Sequence, residues 1–498
     1  MKKKYLVRFI IFLFFNTFLS LSLAIEVPIY DFSIKAYPQN SNYYISPTSK
    51  DYSTSLLKPE YQAAQLEQFY NHYYATDPIK GLSPWSESLV RSILPLVQKL
   101  QLENLIAFDN QNKDFMQKHY GENFKEQGEN WLTNIRNNMD INRLESLVFN
   151  EENRAIAINN TLARVLPESA PDFFHFSLAG QGFPFDNLQE SAVWAGTPLY
   201  IISMSNDKVW SLVLTPDAYF AWVKNNDIAS VSSEFISQWQ TAAQKGLVAI
   251  TKTAVSITDS QQHTQFTGYI GAVFPLVKRN EQETSFLIPG KNHQHQAEII
   301  VGFVNKNAAS QMPMTASKKN MVKIIKQLQN RPYGWGGAYF FNDCSQELKS
   351  LFTPFGIWLP RNAAQQAELS PSLDLSKNSI DERISLLKKK GHPLMTIVYI
   401  GSHVMLYIGN KDRGNNELEI ITYQNRWGLS PKNGDKRYVI GQSLFFPLLK
   451  YYPENPDAGS LVDKSYFKLI FLDELETHAM LAQQFVKKFS NVIFAKDL

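Results

Sequence analysis

Cys344 is the single cysteine in 498 residues, and its surroundings suit nucleophilic chemistry. It follows the aromatic, Gly-rich turn Pro332-Tyr333-Gly334-Trp335-Gly336-Gly337 and then Asp343. It opens a stretch, residues 344–355, that reads as a helix closed by Gly356. A thiol at a helix N-terminus faces unpaired N–H groups and the positive end of the macrodipole, which predicts a lowered pKa and a larger thiolate fraction. A cysteine hydrolase also needs a base and a group that orients the base. His403 follows the Gly401-Ser402 turn at the start of one apolar run, and Gln424 ends the next. In an antiparallel pair the start of one strand lies beside the end of its neighbour. Gln424 is therefore placed to hold one ring nitrogen of His403 and leave the other for the thiol. Each residue alone has an ordinary reading: a buried small side chain, a turn histidine, a surface amide, a generic Gly-Gly turn. Their order carries the weight.

The elements that must position these groups form an α+β segment, residues 315–475. An amphipathic helix spans 318–328 and the cysteine helix follows. A meander over 396–400, 403–408 and 419–424 comes next, and 467–472 is the last strand. Residues 409–416 read as a polar loop and 474–489 as a terminal helix, within a C-terminal piece assigned to 476–498. Upstream the period changes. Short alternating strands at 155–158, 197–202, 209–214 and 221–223 suggest one small β-barrel over 151–235. Those at 247–250, 267–273 and 298–303 suggest a second over 245–310. Residues 25–58 read as an extended linker rich in Tyr, Ser, Asn and Pro. Residues 59–150 read as helical, with Ser83-Pro84-Trp85 as an N-cap and first turn. Leu89, Ile93, Leu96, Val97 and Leu100 recur at helical spacing, so this segment is expected to pack and to carry no chemistry.

Composition bounds the function. At 44% apolar and 19% charged residues, ordinary cores are expected, in about three or four domains. Lys2, Lys3 and Lys4, the apolar run 9–21 and Ser22-Leu23-Ala24 read as a signal peptide over 1–24. The product would be secreted or periplasmic, with no stable membrane span once the signal is removed. No cysteine follows the run, which argues against a lipid-anchored form. Removing four positive charges takes the formal net charge from +3 to about −1, so no basic domain suggests nucleic acid. One cysteine excludes an intrachain disulfide, and a lone thiol in an oxidising compartment favours a chemical role. His293-Gln294-His295 lies in a polar stretch and reads as a solvated loop in preference to a metal site. Lys388-Lys389-Lys390 reads as an exposed helix end. No phosphate-binding or dinucleotide fingerprint is present, and no cofactor or metal is implied. Oligomeric state is not readable.

The order of motifs resembles the NlpC family of papain-like bacterial cell-wall cysteine peptidases. The resemblance rests on the 332–337 turn, Asp343-Cys344-Ser345, Gly356-Ile357-Trp358-Leu359-Pro360-Arg361 with Gln366, and Ser402-His403-Val404-Met405-Leu406-Tyr407-Ile408-Gly409. It extends upstream. Gly182-Phe183-Pro184-Phe185-Asp186-Asn187-Leu188-Gln189, Trp194-Ala195-Gly196-Thr197-Pro198 and Ala221-Trp222-Val223 are similar to the first bacterial SH3-like domain of the branch that carries a helical stabilising segment and two such domains. The resemblance implies hydrolysis of the γ-D-glutamyl bond to a diamino acid in peptidoglycan stem peptides (muropeptides). It implies Cys344 as nucleophile, His403 as base and Gln424 at the orienting position. It points to Tyr333 for the oxyanion, Trp335 at the substrate, and Asp343 with Ser345 at the free amine of the first alanine. It also implies that the first SH3-like domain roofs the cleft and admits only peptides freed from glycan. Three positions depart from the pattern. Gln346 follows the Cys-Ser pair in place of glycine, Gln424 replaces a frequent histidine, and Asn362-Ala363 replaces an acid and a hydroxyl, which bears on amine recognition. An inactive wall-binding scaffold and an amidase acting between glycan and first alanine are the alternatives.

Overall fold

The computed structural model describes residues 27–493 apart from 218, 413–417, 434–435 and 479. The expected signal peptide, the second half of the expected polar loop and the last five residues lie outside the described residues; the first half of that loop, 409–412, is the end of a strand. The C-terminal domain is built on a seven-stranded sheet ordered Ile29–Asp31, Arg437–Pro447, Leu418–Leu429, Val404–Asp412, Thr396–Tyr399, Lys468–Phe471, Ser372–Asp374. All neighbours are antiparallel except the first pair, in which Tyr30 aligns with Tyr438. Strand alternation builds two cores. On one face Val404, Leu406, Ile421 and Tyr423 pack with Leu348, Leu351 and Phe352 of the cysteine helix, Cys344–Phe352. On the other face Met405, Tyr407, Ile420, Leu444 and Phe446 form a second core.

That second core overturns the linker reading of residues 25–58. Phe32 and Tyr37 are buried in it, Tyr37 Oη donates to Glu454 at 2.5 Å, and Gln39 exchanges hydrogen bonds with the backbone of Phe445. Burying each ring is worth roughly 1.5–3 kcal/mol, which fixes a segment whose polar composition suggested a tether.

Both β modules are seven-stranded, and the two domains follow one another through the helix Ser233–Lys245, whose N-cap Ser232 accepts from Phe235 N. The expected single strand at 267–273 is two strands, Thr264–Gly268 and Val273–Arg279; Gly271, at φ +93°, turns the chain between them. His293 and His295 sit exposed in the hairpin turn between Glu283–Lys291 and Ala297–Asn305.

The helical segment contains Pro59–Tyr73, Glu87–Ala107 and Glu129–Met139. Ser83-Pro84-Trp85 does not cap the middle helix, which begins at Glu87 after Ser86. Ser83 Oγ donates to Tyr73 O at 2.7 Å and Trp85 Nε1 to Ala155 O at 2.8 Å, so this turn ties two helices to the first barrel. The terminal helix begins at Ala482, later than expected.

Candidate active site

The cysteine helix starts at a conventional cap. Asp343 accepts from Gln346 N at 2.9 Å, and Cys344 is the first helical residue, 7% exposed. The expected low thiol pKa does not follow. Burial, and then the adjacent Asp343 carboxylate, push the Cys344 thiol up to about 12. The Val404 N–H bonds the sulfur, and Arg426 and Arg361 act in the same direction, but they offset only part of this. The helix N-terminus favours a thiolate, yet a capping carboxylate next to a desolvated sulfur outweighs it.

Val404 belongs to the strand that follows His403. His403 itself lies in the turn just before that strand, where Ile400 N donates to His403 O at 2.9 Å. Its Nε2 is 2.7 Å from Gln424 Oε1. Gln424 is fully buried, and its Nε2 donates to Thr422 Oγ1 at 3.0 Å. The Thr422 hydroxyl in turn donates to Phe446 O at 2.8 Å. A carbonyl can only accept, so the chain of bonds has one direction. It presents the amide oxygen to His403 and assigns the ring proton to Nε2, leaving Nδ1 as the basic nitrogen. Burial, and then Arg426, hold His403 well below the usual histidine range, with the Gln424 bond pulling the other way.

The remaining residues expected at the site fall around a junction between domains. Tyr333 lies near Cys344; burial, then Cys344 and Asp343, push its phenol well above the ordinary range, so it remains a proton donor. Trp335 Nε1 donates to Asp186 O of the first barrel at 3.0 Å. Phe185 of that barrel meets Trp335 edge-on at 5.2 Å and Trp427 at 4.7 Å. The Gly336-Gly337 pair is more than a turn. Both residues have positive φ, and a Cβ on Gly336 would stand 2.4 Å from Gln189 O. Gln189 Nε2 donates to Gly336 O at 2.8 Å, so glycine allows two backbones of different domains to touch.

Asp343 and Ser345 converge on Arg361. The guanidinium forks onto both Asp343 oxygens (2.6 and 3.1 Å) and also reaches Ser345 Oγ (3.0 Å), Ser191 Oγ (2.7 Å) and Glu190 O (3.1 Å). Arg361 was legible as part of a motif, but its bridging of the cysteine helix cap to the barrel was not. Arg426, whose Nε donates to Gly428 O, was also missed, as was Thr422. Glu347 is buried one turn below Cys344 and accepts from Tyr423 Oη (2.5 Å) and Asn342 Nδ2 (2.8 Å). An acid on an otherwise buried helix face was the available signal for it.

A cleft of about 810 Å³ runs from Cys344, Tyr333 and Trp335 between the first barrel and the helical segment. The barrel contributes Gln189, Glu190 and Tyr219 to its wall. Contrary to expectation, the helical segment does more than pack: Asn104, Phe108, Lys113 and His119 line the cleft.

Residues 171–224 match the SH3 domain of SH3b1 type, residues 232–281 the SH3 domain of SH3b2 type, and residues 330–426 the NlpC/P60 family. Among solved structures the chain is similar to an NlpC/P60 endopeptidase from Photobacterium damselae subsp. piscicida. The TM-score is 0.74 and the identity 28%, over 90% of this chain and 99% of that one. An NlpC/P60 family protein from Bacillus cereus also matches, with a TM-score of 0.41 and 14% identity over 62% of this chain and 98% of that one. No curated protein sequence matches the chain. The chain thus carries two bacterial SH3 domains followed by an NlpC/P60 domain, and it is similar to the Photobacterium endopeptidase over nearly the whole length of both.

Proposed function

We propose that this protein is an exported cysteine endopeptidase that hydrolyses peptidoglycan stem peptides at the γ-D-glutamyl bond to the diamino acid. Cys344 is the nucleophile, His403 the general base and Gln424 the group that orients it. The observation that carries this reading is the directed chain Phe446 O, Thr422, Gln424, His403 beside a cysteine whose sulfur receives the Val404 N–H.

The chemistry follows from the charge states. Thiol and imidazole are both desolvated, and the amide of Gln424 cannot stabilise an imidazolium as a charge would. The resting pair is therefore neutral, and His403 Nδ1 takes the thiol proton as the sulfur attacks the carbonyl. Negative charge that develops on the substrate oxygen meets the N-terminus of the cysteine helix and the protonated Tyr333 hydroxyl. The imidazolium then returns its proton to the leaving amine, and water repeats the sequence on the acyl-enzyme. Export rests on the basic and apolar character of residues 1–24.

Digestion of glycan-linked and glycan-free stem peptides by wild type and Cys344→Ala, read by mass spectrometry, tests this. New termini at the γ-D-glutamyl bond with wild type only are expected. Identical digests for the two proteins would refute the enzyme reading, and cleavage between glycan and alanine would replace the bond.

A further inference from the structure

The end of the cleft walled by the helical segment is not used by the chemistry above. Its lining is mostly apolar and amide side chains. Phe108 and Phe174 present ring surface, and Asn104, Gln117, Gln181 and Asn187 present amides. The Asn104 side chain, only 7% exposed, has no hydrogen-bond partner among the described residues. Buried amide groups are normally hydrogen-bonded, so an unpartnered one on a cleft wall marks where a ligand supplies the bonds.

The charged groups of the same wall are already matched. Asp343 is forked by Arg361. Glu190 lies against the Tyr219 hydroxyl. Lys113 Nζ donates to Ala107 O, the end of the helix Glu87–Ala107. His119 is held between Asp172 Oδ1 (2.5 Å) and Ala107 O (3.0 Å). Each charged group of this wall thus already holds a partner among the described residues, so a charged ligand group would have to displace one, and burying it unpaired is costly. A neutral group with apolar faces and many hydroxyl and amide functions fits. It can stack C–H faces on the phenyl rings and exchange hydrogen bonds with the amides. At about 810 Å³ the cleft lies within the roughly 300–1,000 Å³ range of sites that enclose a whole ligand, with room beyond a dipeptide.

We propose that this end of the cleft is a saccharide site, which takes the N-acetylated sugar that a stem peptide carries while still joined to glycan. The inference rests on the cell-wall peptidase reading and deepens it. It runs against the expectation that the barrel admits only glycan-free peptides.

The test uses the full chain carrying Cys344→Ala, titrated calorimetrically with N-acetylmuramyl-L-alanyl-D-isoglutamine and with L-alanyl-D-isoglutamine. The sugar-bearing compound is expected to bind at least about tenfold tighter, the equivalent of one or two added hydrogen bonds. Asn104→Leu, and separately Gln117→Ala at an exposed position, should each cut that advantage at least about threefold. Equal affinities, no binding of the sugar-bearing compound, or an advantage that neither substitution changes would overturn the saccharide site. Hydrolysis by the active chain is followed in parallel on sugar-linked and sugar-free tetrapeptides. Failure to cleave either one removes the peptidase reading while the calorimetric preference still decides the saccharide site.

Discussion

Replacing Thr422 by valine should slow turnover without touching substrate or nucleophile. In the native arrangement Gln424 can turn its amide over only by giving up two matched bonds. The NH₂ would face the Nε2 proton of His403, and the Thr422 hydroxyl would have to leave Phe446 O to meet the reversed oxygen. At about 0.5–1.5 kcal/mol for each neutral hydrogen bond, the productive orientation is favoured by roughly 1–3 kcal/mol, or about 5- to 150-fold. Valine keeps the shape of the fully buried site but offers no acceptor. The amide is then held by His403 alone, and the imidazole can adopt the tautomer that carries its proton on Nδ1, where it no longer serves as base. We expect kcat to fall about 2- to 10-fold with KM unchanged, and Thr422→Ser, which keeps the hydroxyl, to restore most of it. Steady-state kinetics on a defined stem peptide give the comparison, and nitrogen NMR of the His403 ring reads the tautomer. The reasoning fails if valine matches wild type in kcat and tautomer, or if serine and valine are equally impaired.

Three further outcomes can be measured. Gln424→Ala should lower kcat by less than His403→Ala, because it removes orientation and leaves the base; equal and complete loss in peptide assays would give the amide a larger role. Ultraviolet titration of the Cys344 thiolate, taken against Cys344→Ala, should show almost no thiolate absorbance up to about pH 10, since burial and Asp343 push the thiol up to about 12; full thiolate absorbance already near neutrality would mean a preformed ion pair. His72 is buried against Trp358 (ring centroids 3.7 Å apart) with Nδ1 unpartnered among the described residues, and burial lowers its pKa to about 3. Because the folded pKa lies below the unfolded value of about 6.5, stability is intact above that value and falls as pH drops through the window between the two. Wild type should therefore lose about 2 kcal/mol more than His72→Phe between about pH 7 and pH 5 in denaturant titrations, and parallel losses would exclude the histidine as the source.

The sequence was most legible where local rules suffice. Asp343 followed by an apolar helix, with Gly356 at φ +78° at its end, is local cap chemistry. The β modules showed themselves through alternation. Local rules misplaced residues 25–58, because the order of Phe32 and Tyr37 comes from a core made by strands some 400 residues later. They merged two strands across Gly271 for a similar reason: a single glycine in an apolar run does not announce its φ.

The sequence by itself determined the cast of groups to which we assign the chemistry. A lone thiol at a helix start, a histidine after a turn and an amide at the end of the next strand are set by composition, spacing and period. Only the tertiary structure decided their charge states and surroundings. Whether a helix-terminal thiol is acidic depends on how much water and which carboxylate lie beside it, and these come from Asp343, the sheet and the barrel together. The same holds for Arg361, whose five hydrogen bonds span two domains, and for the helical segment that became a wall of the cleft. Desolvation and long-range ion pairing depend on neighbours distant in the chain, and spacing in one dimension does not encode them.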